Sequence, residues 1–486
     1  MTKAYESHFS NEVLQELINR LGADKVSTKL VDKIASCRGV AGPEFKLQQK
    51  GKYPYLPDVV VFPENASDVS EILKTANKYK TVVIPYSGGS GNVLGTVFFN
   101  GGICVDCKFM DSLIINETDC TITVGAGYNG EKLERELNRK GFTHGHFPQS
   151  VHSSMPGGWA GPIAIGTFST KYGKFDDMVI SMEVVLPTGE IMVTSDSPKK
   201  SAGPNLNQLM IGSEGAYGII TKITMRIWPA PEVRTFEVFN MPSNVDGLEG
   251  IRQFMQLGLR PAVVRLYDEE ESYERNEKWG YDASTCYLLM GYDGTKAQVE
   301  LERCMVREAL ERNGGILAEN SLVNGLDWYK TTRFNVTNFL GVLEIPGAGM
   351  ESMEVSASWE KLPGVIRAMK NAAKPSAQLV YGHTSHVYHT GAMVYMIFVH
   401  ITDGNETDGV KAFVKSMRKC LDACVAAGGT FSHHHGVGVL RSHWMEAEHN
   451  EGFEVMKKIK QALDPNNILN PPVLGLGGYA DVEEII

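Results

Sequence analysis

The stretch Pro85-Tyr86-Ser87-Gly88-Gly89-Ser90-Gly91-Asn92 constrains this chain most. It follows the apolar run Thr81-Val82-Val83-Ile84, which reads as a short buried strand. A strand that runs into Pro and then Gly-Gly-x-Gly exposes a row of backbone N–H groups. Glycines turn tightly and let a pyrophosphate approach the main chain, so such a row makes a concave anion nest. No Gly-Lys-Ser/Thr follows, which excludes a P-loop, and the spacing is not the G-x-G-x-x-G that opens a dinucleotide-binding helix. Taken alone, a glycine-rich surface turn would read the same way.

Later segments sharpen the reading. Pro156-Gly157-Gly158-Trp159 is a second glycine turn. Ser169-x-x-Tyr172-Gly173-x-x-x-Asp176 follows, then a strand-like run over residues 178–186, then Gly212-Ser213-Glu214-Gly215-Ala216-Tyr217-Gly218-Ile219-Ile220-Thr221. In this order the motifs resemble the flavin-binding half of the vanillyl-alcohol oxidase / p-cresol methylhydroxylase superfamily, across residues 54–471. The resemblance implies an α+β protein: a two-part FAD-binding domain of the p-cresol methylhydroxylase type and an α+β cap with an antiparallel sheet. It implies that Pro85, Tyr86, Ser87, Gly88, Gly89, Ser90, Gly91 and Asn92 hold the FAD diphosphate. Pro148, Ser150, Ser154, Gly157 and Gly158 would line the flavin. Ser169, Tyr172, Gly173, Asp176 and Met178 would complete the cofactor site. Glu214 would hydrogen-bond the adenosine ribose, and Ile220, with Gly218 beside it, would hold the flavin through the backbone. Attachment is expected to be non-covalent, because residues 85–92 contain neither histidine nor cysteine.

At 486 residues the chain exceeds one ordinary core. Pro229-Ala230-Pro231 breaks it, which suggests a FAD-binding domain at 1–232 and a cap at 233–440. In the family the tail, 441–486, returns to the first domain. A formal charge of −10 offers no basic footprint, so nucleic acid is not an expected partner. No run of eighteen apolar residues predicts a spanning helix. The start, Met-Thr-Lys-Ala-Tyr-Glu-Ser-His, lacks a signal-peptide pattern, and the end is not a peroxisomal Ser-Lys-Leu. Eight cysteines in a chain this long make no disulfide framework. Cys104 and Cys107 read as buried thiols, and Cys420 and Cys424 as one face of a helix. These features point to the cytoplasm. A homodimer acting on a small molecule is expected.

Periodicity predicts helices at residues 10–21, capped by Ser10, at 66–78, capped by Asn65 or Ser67, and at 130–140. Strands are predicted at 59–62, 82–85, 102–105, 121–124, 178–186 and 218–227. In the second half, strands at 236–239, 262–267, 285–291 and 394–400 alternate with helices at 296–313, 358–373 and 409–427. That pattern predicts a sheet with its helices on one face.

Three segments carry further chemistry. Ser432-His433-His434-His435-Gly436-Val437-Gly438 packs imidazoles against glycines; a metal-binding or solvated histidine tract is the alternative. Gly382-His383-Thr384-Ser385-His386-Val387-Tyr388-His389-Thr390-Gly391 precedes a strand. Arg265 stands inside an apolar strand and must pair with an internal carboxylate or a substrate anion. These segments are similar to those of the alkyldihydroxyacetonephosphate synthase branch, matching His433, His434, His435, Tyr388 and Arg265. The run Met353-Glu354-Val355-Ser356-Ala357-Ser358-Trp359 fits as well. One departure stands out: Gly341 falls where that branch carries an arginine. The FAD-linked D-2-hydroxy-acid dehydrogenases are the second similar branch, but their metal-binding pattern is altered here at Thr390 and His434. The expected activity is therefore an FAD-dependent oxidation of a hydroxylated, anionic small molecule. Tyr388 or His434 would be the base that takes the alcohol proton, and Arg265 the anchor. A non-redox synthase and an electron-relay subunit are the alternatives. Oxygen, a quinone and an electron-transfer flavoprotein all stay open as the acceptor.

Overall fold

Local chemistry fixes the first elements. Helix Asn11–Leu21 is capped by Ser10, whose Oγ accepts from the N–H of Val13. Helix Ala66–Tyr79 is capped by Asn65, not Ser67, and buries Val69, Ile72, Leu73 and Ala76 on one stripe. In the computed structural model, residues 6–334, 337–405 and 408–478 are described.

Two larger sheets build the first half, which gives the expected two-part arrangement; a two-stranded pair, Phe142–Thr143 with Trp228–Pro229, stands beside them. The first has the order Val26–Ser27, Val59–Val61, Ile103–Asp106, Val83–Tyr86, its last three strands parallel. Helix Ala66–Tyr79 is the crossover between two of them. Parallel strands are covered on both faces, so they read as continuous apolar runs such as Val59-Val60-Val61. The second sheet is antiparallel, in the order Leu113–Asn116, Thr121–Gly125, Ile219–Arg226, Val179–Val185, Ile191–Val193. Its two outer strands, Leu113–Asn116 and Ile191–Val193, were not expected. Both are short and half exposed, so they lack a clear apolar pattern.

The second half is one antiparallel sheet of seven strands. Its order is Ile316–Leu317, Val233–Met241, Cys286–Gly294, Val263–Tyr267, Leu379–Val387, Gly391–Ile401, Ala348–Ser358. Helices Asn244–Gln256, Lys296–Arg312, Leu362–Ala373 and Asp408–Ala426 cover one face, through Leu266, Leu288, Met290, Met353, Val355 and Phe398 among others. The short helix Ser321–Asp327 departs from the one-face expectation: its Gly325 backs onto Phe236, which packs in one cluster with Ile122, Val124 and Ile223 of the first half. The expected helix at 358–373 starts only at Leu362, with Pro363 in its first turn, because residues 348–358 are a strand. That strand and Leu379–Val387 escape apolar periodicity because their second face is polar: Glu354, His383 and His386 are all buried. Among the described residues no helix is long and apolar enough to cross a membrane.

Residues 468–470 dock on the first sheet. Ile468 and Leu469 run parallel beside Val83, with Val83 N donating to Ile468 O and Asn470 N to Val83 O. Lys460 supports this segment from below. Its buried amine donates to Ala216 O, Leu469 O and Asp464 Oδ2 at 2.9, 2.6 and 2.6 Å. Burial pushes that amine down, and Asp464 opposes the shift. Lys460→Met would leave Asp464 buried without its cation. It should cost about 3 kcal/mol or more in urea unfolding; a loss below about 1 kcal/mol would show that the docking does not depend on this amine.

Candidate functional site

Strand register assembles a polar face. Tyr267 pairs with His383, His383 with Tyr395 and Tyr395 with Glu354, so four side chains form one row across the sheet, opposite its main helical layer. Arg265 lies on the same face, two residues from Tyr267. A β-bulge between Thr384 and His386 shifts the alternation by one residue. His386 and Tyr388 thereby rejoin the face of His383; in unbroken alternation Ser385 and Val387 would take their places.

Arg265 has neutral partners. Its Nε donates to the Tyr267 hydroxyl at 2.7 Å, and its Nη2 lies 2.7 Å from His383 Nε2. His383 Nδ1 lies 2.8 Å from Glu271 Oε2. The guanidinium has no acceptor lone pair, so His383 accepts at Nε2 and donates from Nδ1 to Glu271. Burial and Arg265 push His383 down to about 4, against the pull of Glu271. Burial alone would raise Glu271; His383, Arg275 and Arg265 hold it low. Among the described residues no carboxylate forms an ion pair with Arg265. The internal-carboxylate reading of this arginine is thus replaced by a relayed one, with a neutral imidazole between the charges.

The three histidines gather around Glu354. Its carboxylate is fully buried and takes a bidentate pair of bonds from Arg441, each 2.8 Å. It also accepts from His435 N at 3.0 Å and lies 2.8 Å from His435 Nδ1. Burial alone would push this carboxyl up; Arg441 and His435 reverse that and hold it well below the usual carboxylate range. An extended segment would send successive side chains apart. Here the loop is bent, and His434 sits edge-on to both neighbours, with ring centres 5.2 Å from His433 and 4.5 Å from His435.

Tyr388, His433 and His434 are joined in a chain. Tyr388 OH lies 2.7 Å from His433 Nε2, and His433 Nδ1 lies 3.0 Å from His434 Nδ1. A bond between two Nδ1 atoms of neutral rings needs one proton, so the chain has two settings. In one, His434 Nε2 carries a proton; in the other it is a free acceptor. Burial pushes both imidazoles well below their usual value, so both are neutral at pH 7. Burial pushes the Tyr388 hydroxyl up, aided by Asp176 and Asp177. Lys174, unremarked in the sequence, donates to His433 O at 2.7 Å.

A cleft lies beside this cluster. Pro85, Tyr86, Ser87, Gly89, Ser90, Gly91, Ser154, Gly157, Gly158, Glu214, Gly218 and Ile220 line it, together with His435. Asn92 does not line it but lies 3.1 Å from His435 Nδ1, which ties the glycine-rich loop to the histidines. Gly88 turns toward the Ser153 main chain. Other expected contacts have other partners. Ser169 Oγ accepts from Gly166 N, Tyr172 OH donates to Asp293, and Met178 is buried core. Pro148 and Ser150 close a turn through their carbonyls, Gly173 ends a short helix at φ +95°, and Asp176 faces Tyr388 electrostatically. Glu214 lines the cleft and already has main-chain partners. Its oxygens accept from Val437 N and Gly438 N at 2.6 and 2.7 Å, and burial pushes it up to about 7 against those bonds. Cys107, Glu44 and Ser213 line the cleft without having been expected. Among the described residues no group of three or more His, Cys, Asp or Glu side chains is placed to hold a metal ion.

Residues 57–195 match the FAD binding domain family, and residues 230–473 match the family of FAD linked oxidases, C-terminal domain. Alkyldihydroxyacetonephosphate synthase of Caenorhabditis elegans is 29% identical, over 93% of this chain and 82% of its own. The mitochondrial D-lactate dehydrogenase (cytochrome) of Arabidopsis thaliana is 28% identical, over 86% of this chain and 73% of its own. A solved alkyldihydroxyacetonephosphate synthase shares the fold, with a TM-score of 0.78 at 23% identity over 96% of this chain and 85% of that one. The cleft suits FAD in its own chemistry. A Cβ on Gly91 or Gly95 would meet nothing within 4 Å, so the main chain there faces open space. No lysine or arginine lines it among the described residues, which leaves main-chain N–H groups and hydroxyls to meet a diphosphate.

Glu354→Gln should cost about 3 kcal/mol or more, by leaving Arg441 buried without a full counter-charge. The pH dependence follows from the depressed folded value. The carboxylate contributes stability above the ordinary carboxylate range and loses it as pH falls through the lower folded value. Acid unfolding of Glu354→Gln should therefore be flatter than that of the unmodified protein; parallel profiles would mean that Glu354 does not carry this stability.

Proposed function

Because the chain belongs to the FAD-linked oxidase family, we propose that it oxidises a hydroxylated, anionic small molecule, a 2-hydroxy acid or an alcohol, by hydride transfer to its FAD. The observation that carries this reading is Arg265: a guanidinium held by two neutral partners keeps its charge for a ligand. It sits in contact with His383, whose ring stacks on Tyr395 at 5.0 Å, and Tyr395 stacks in turn near His434 at 6.2 Å.

Bound FAD supplies the hydride acceptor. Arg265 orients the substrate anion. His434 Nε2, in its free-acceptor setting, takes the hydroxyl proton. That setting has His434 Nδ1–H bonded to His433 and His433 Nε2–H bonded to Tyr388, so the proton's charge spreads along three groups. His434 is less basic than a free histidine, because it is buried; the chain behind it compensates by stabilising the protonated form. Attachment of FAD is non-covalent in this reading. Cys107 lines the cleft, but burial pushes its thiol up to about 12, which leaves little thiolate to react. Acid precipitation should release all the yellow colour.

A second reading has support. The synthase relatives and the shared Tyr388, His433–His435 and Arg265 pattern favour a transferase without net redox change. Against it stands Gly341, an exposed glycine in helix Thr337–Glu344 with open space around it. The side chains of Asn338, Phe339 and Leu340 lie outside the described residues. Anaerobic mixing with a panel of hydroxy acids and alcohols decides. Bleaching of the flavin supports the oxidase, while no bleaching with any of them, together with exchange of an acyl for an alkoxy group, supports the synthase.

His434→Ala should slow bleaching by more than about a hundredfold while the holoprotein stays yellow. Tyr388→Phe should cause a comparable loss, and the double variant should lose less than the product, as expected for one shared path. Near-normal bleaching by His434→Ala would remove the chemistry from this cluster. Arg265→Lys should raise KM with FAD content unchanged, since a point charge replaces a planar fork. An unchanged KM would make Arg265 structural.

A further inference from the structure

The segment before the first parallel strand is wrapped onto the glycine-rich loop. Tyr86 OH donates to Ala35 O and Arg38 O at 3.1 and 3.2 Å, and Val40 N donates to Gly91 O at 2.9 Å. Gly89 sits at φ +64°, and a side chain there would strike the Arg38 carbonyl. Helix Gly42–Gln49 begins directly after this wrap, with Glu44 in its first turn. The Glu44 carboxyl reaches back to Gly39. A side chain on Gly39 would meet both that carboxyl and the Gly91 carbonyl, so the acid stands beside the loop. It lines the cleft with Ser87, Ser90 and Gly91. Among the described residues no hydrogen bond or ion pair reaches it.

We propose that Glu44 is a cofactor-binding residue that keeps its proton and donates it in a hydrogen bond to an oxygen of the FAD diphosphate. The inference rests on the FAD reading of the cleft and of residues 85–92. Charge makes the case. A diphosphate in this cleft meets no lysine or arginine among the described lining residues. An ionised Glu44 beside it would add repulsion with nothing to offset it, whereas a neutral carboxyl is a donor that shortens the distance between acid and phosphate. Burial already pushes Glu44 up to about 8. The groups around it do not reverse this. Cys37 is pushed up to about 12 by burial, and Tyr86 is raised by burial too. Asp106 is held by Ser36 and Lys108. Lys46, on the same helix, sends its amine to Ile345 O. Arg38 is exposed, and Glu214 and His435 line the same cleft.

The sign follows. A proton held more tightly with FAD bound than without it makes affinity high at low pH. Affinity falls as pH rises above the free value, by up to about tenfold per unit. Holoprotein diluted into buffers from about pH 6 to about pH 10 releases FAD, which is read by its fluorescence. The unmodified protein should hold FAD evenly to about pH 8 and lose it above. Glu44→Gln, neutral at every pH and still a donor, should match it at pH 6 and lose that step. Glu214 titrates in both proteins, so only their difference reports Glu44. Glu44→Ala, with unchanged circular dichroism, should bind about tenfold more weakly at pH 7. Identical profiles for Glu44→Gln and the unmodified protein overturn the role of Glu44 alone. An unmodified protein that carries no FAD at any pH overturns the cofactor reading, and Glu44 falls with it.

Discussion

The buried pair of Glu354 and Arg441 is the constraint on which the site depends. A carboxylate with no exposure is costly unless its lone pairs are filled. Here they are filled by a bidentate guanidinium and by the main chain and ring of His435. Glu354 belongs to the last strand of the large sheet and Arg441 to the segment after the histidines. Their bond therefore fixes the histidine loop against the sheet. Once the loop is fixed, Val437 and Gly438 present their N–H groups to Glu214, and Asn92 meets His435. One ion pair thus sets the distance between the polar sheet face and the cofactor cleft.

The charges of this face are kept apart by neutral groups. Arg265 and Glu271 do not touch; His383 stands between them and is held neutral by burial and by the arginine. Lys174 spends its amine on a carbonyl, not on a carboxylate. Imidazoles stacked on imidazoles cannot all be charged, since each cation would oppose its neighbour. Among the described residues, such a face offers Arg265, a cation with no carboxylate partner, beside a run of neutral donors and acceptors. That combination suits binding an anion and moving a proton without creating a second buried charge.

The cleft follows the same economy from the other side. Its loop supplies N–H groups and hydroxyls, with acids at Glu44 and Glu214 that burial pushes toward the neutral form. The tail of the chain completes the wall: Asn470 donates to Gly95 O and Glu214 O, so docking of residues 464–470 and shaping of the cleft are one event.

By itself the sequence determined the repeating elements and the glycine geometry. Helix Ala66–Tyr79, the apolar parallel strands and the loop at 85–92 are legible because their signals are local: a cap, a period, a turn that only glycine makes. The resemblance supplied the family; in the structure Arg265 and Tyr388 go with one sheet face, and the loop of His433 and His434 meets Tyr388 there. What sequence could not decide was how they meet. Strands Ala348–Ser358 and Leu379–Val387 are polar on one face, so neither shows the apolar run that marks a strand. The bulge after Thr384 turns His386 and Tyr388 inward, and nothing local announces it, because a bulge is defined by the partner strand. Arg265 and His383 are 118 positions apart, and Glu354 and Arg441 are 87 apart. Only tertiary packing brings such groups within bonding distance, and only burial then fixes which of them carry charge.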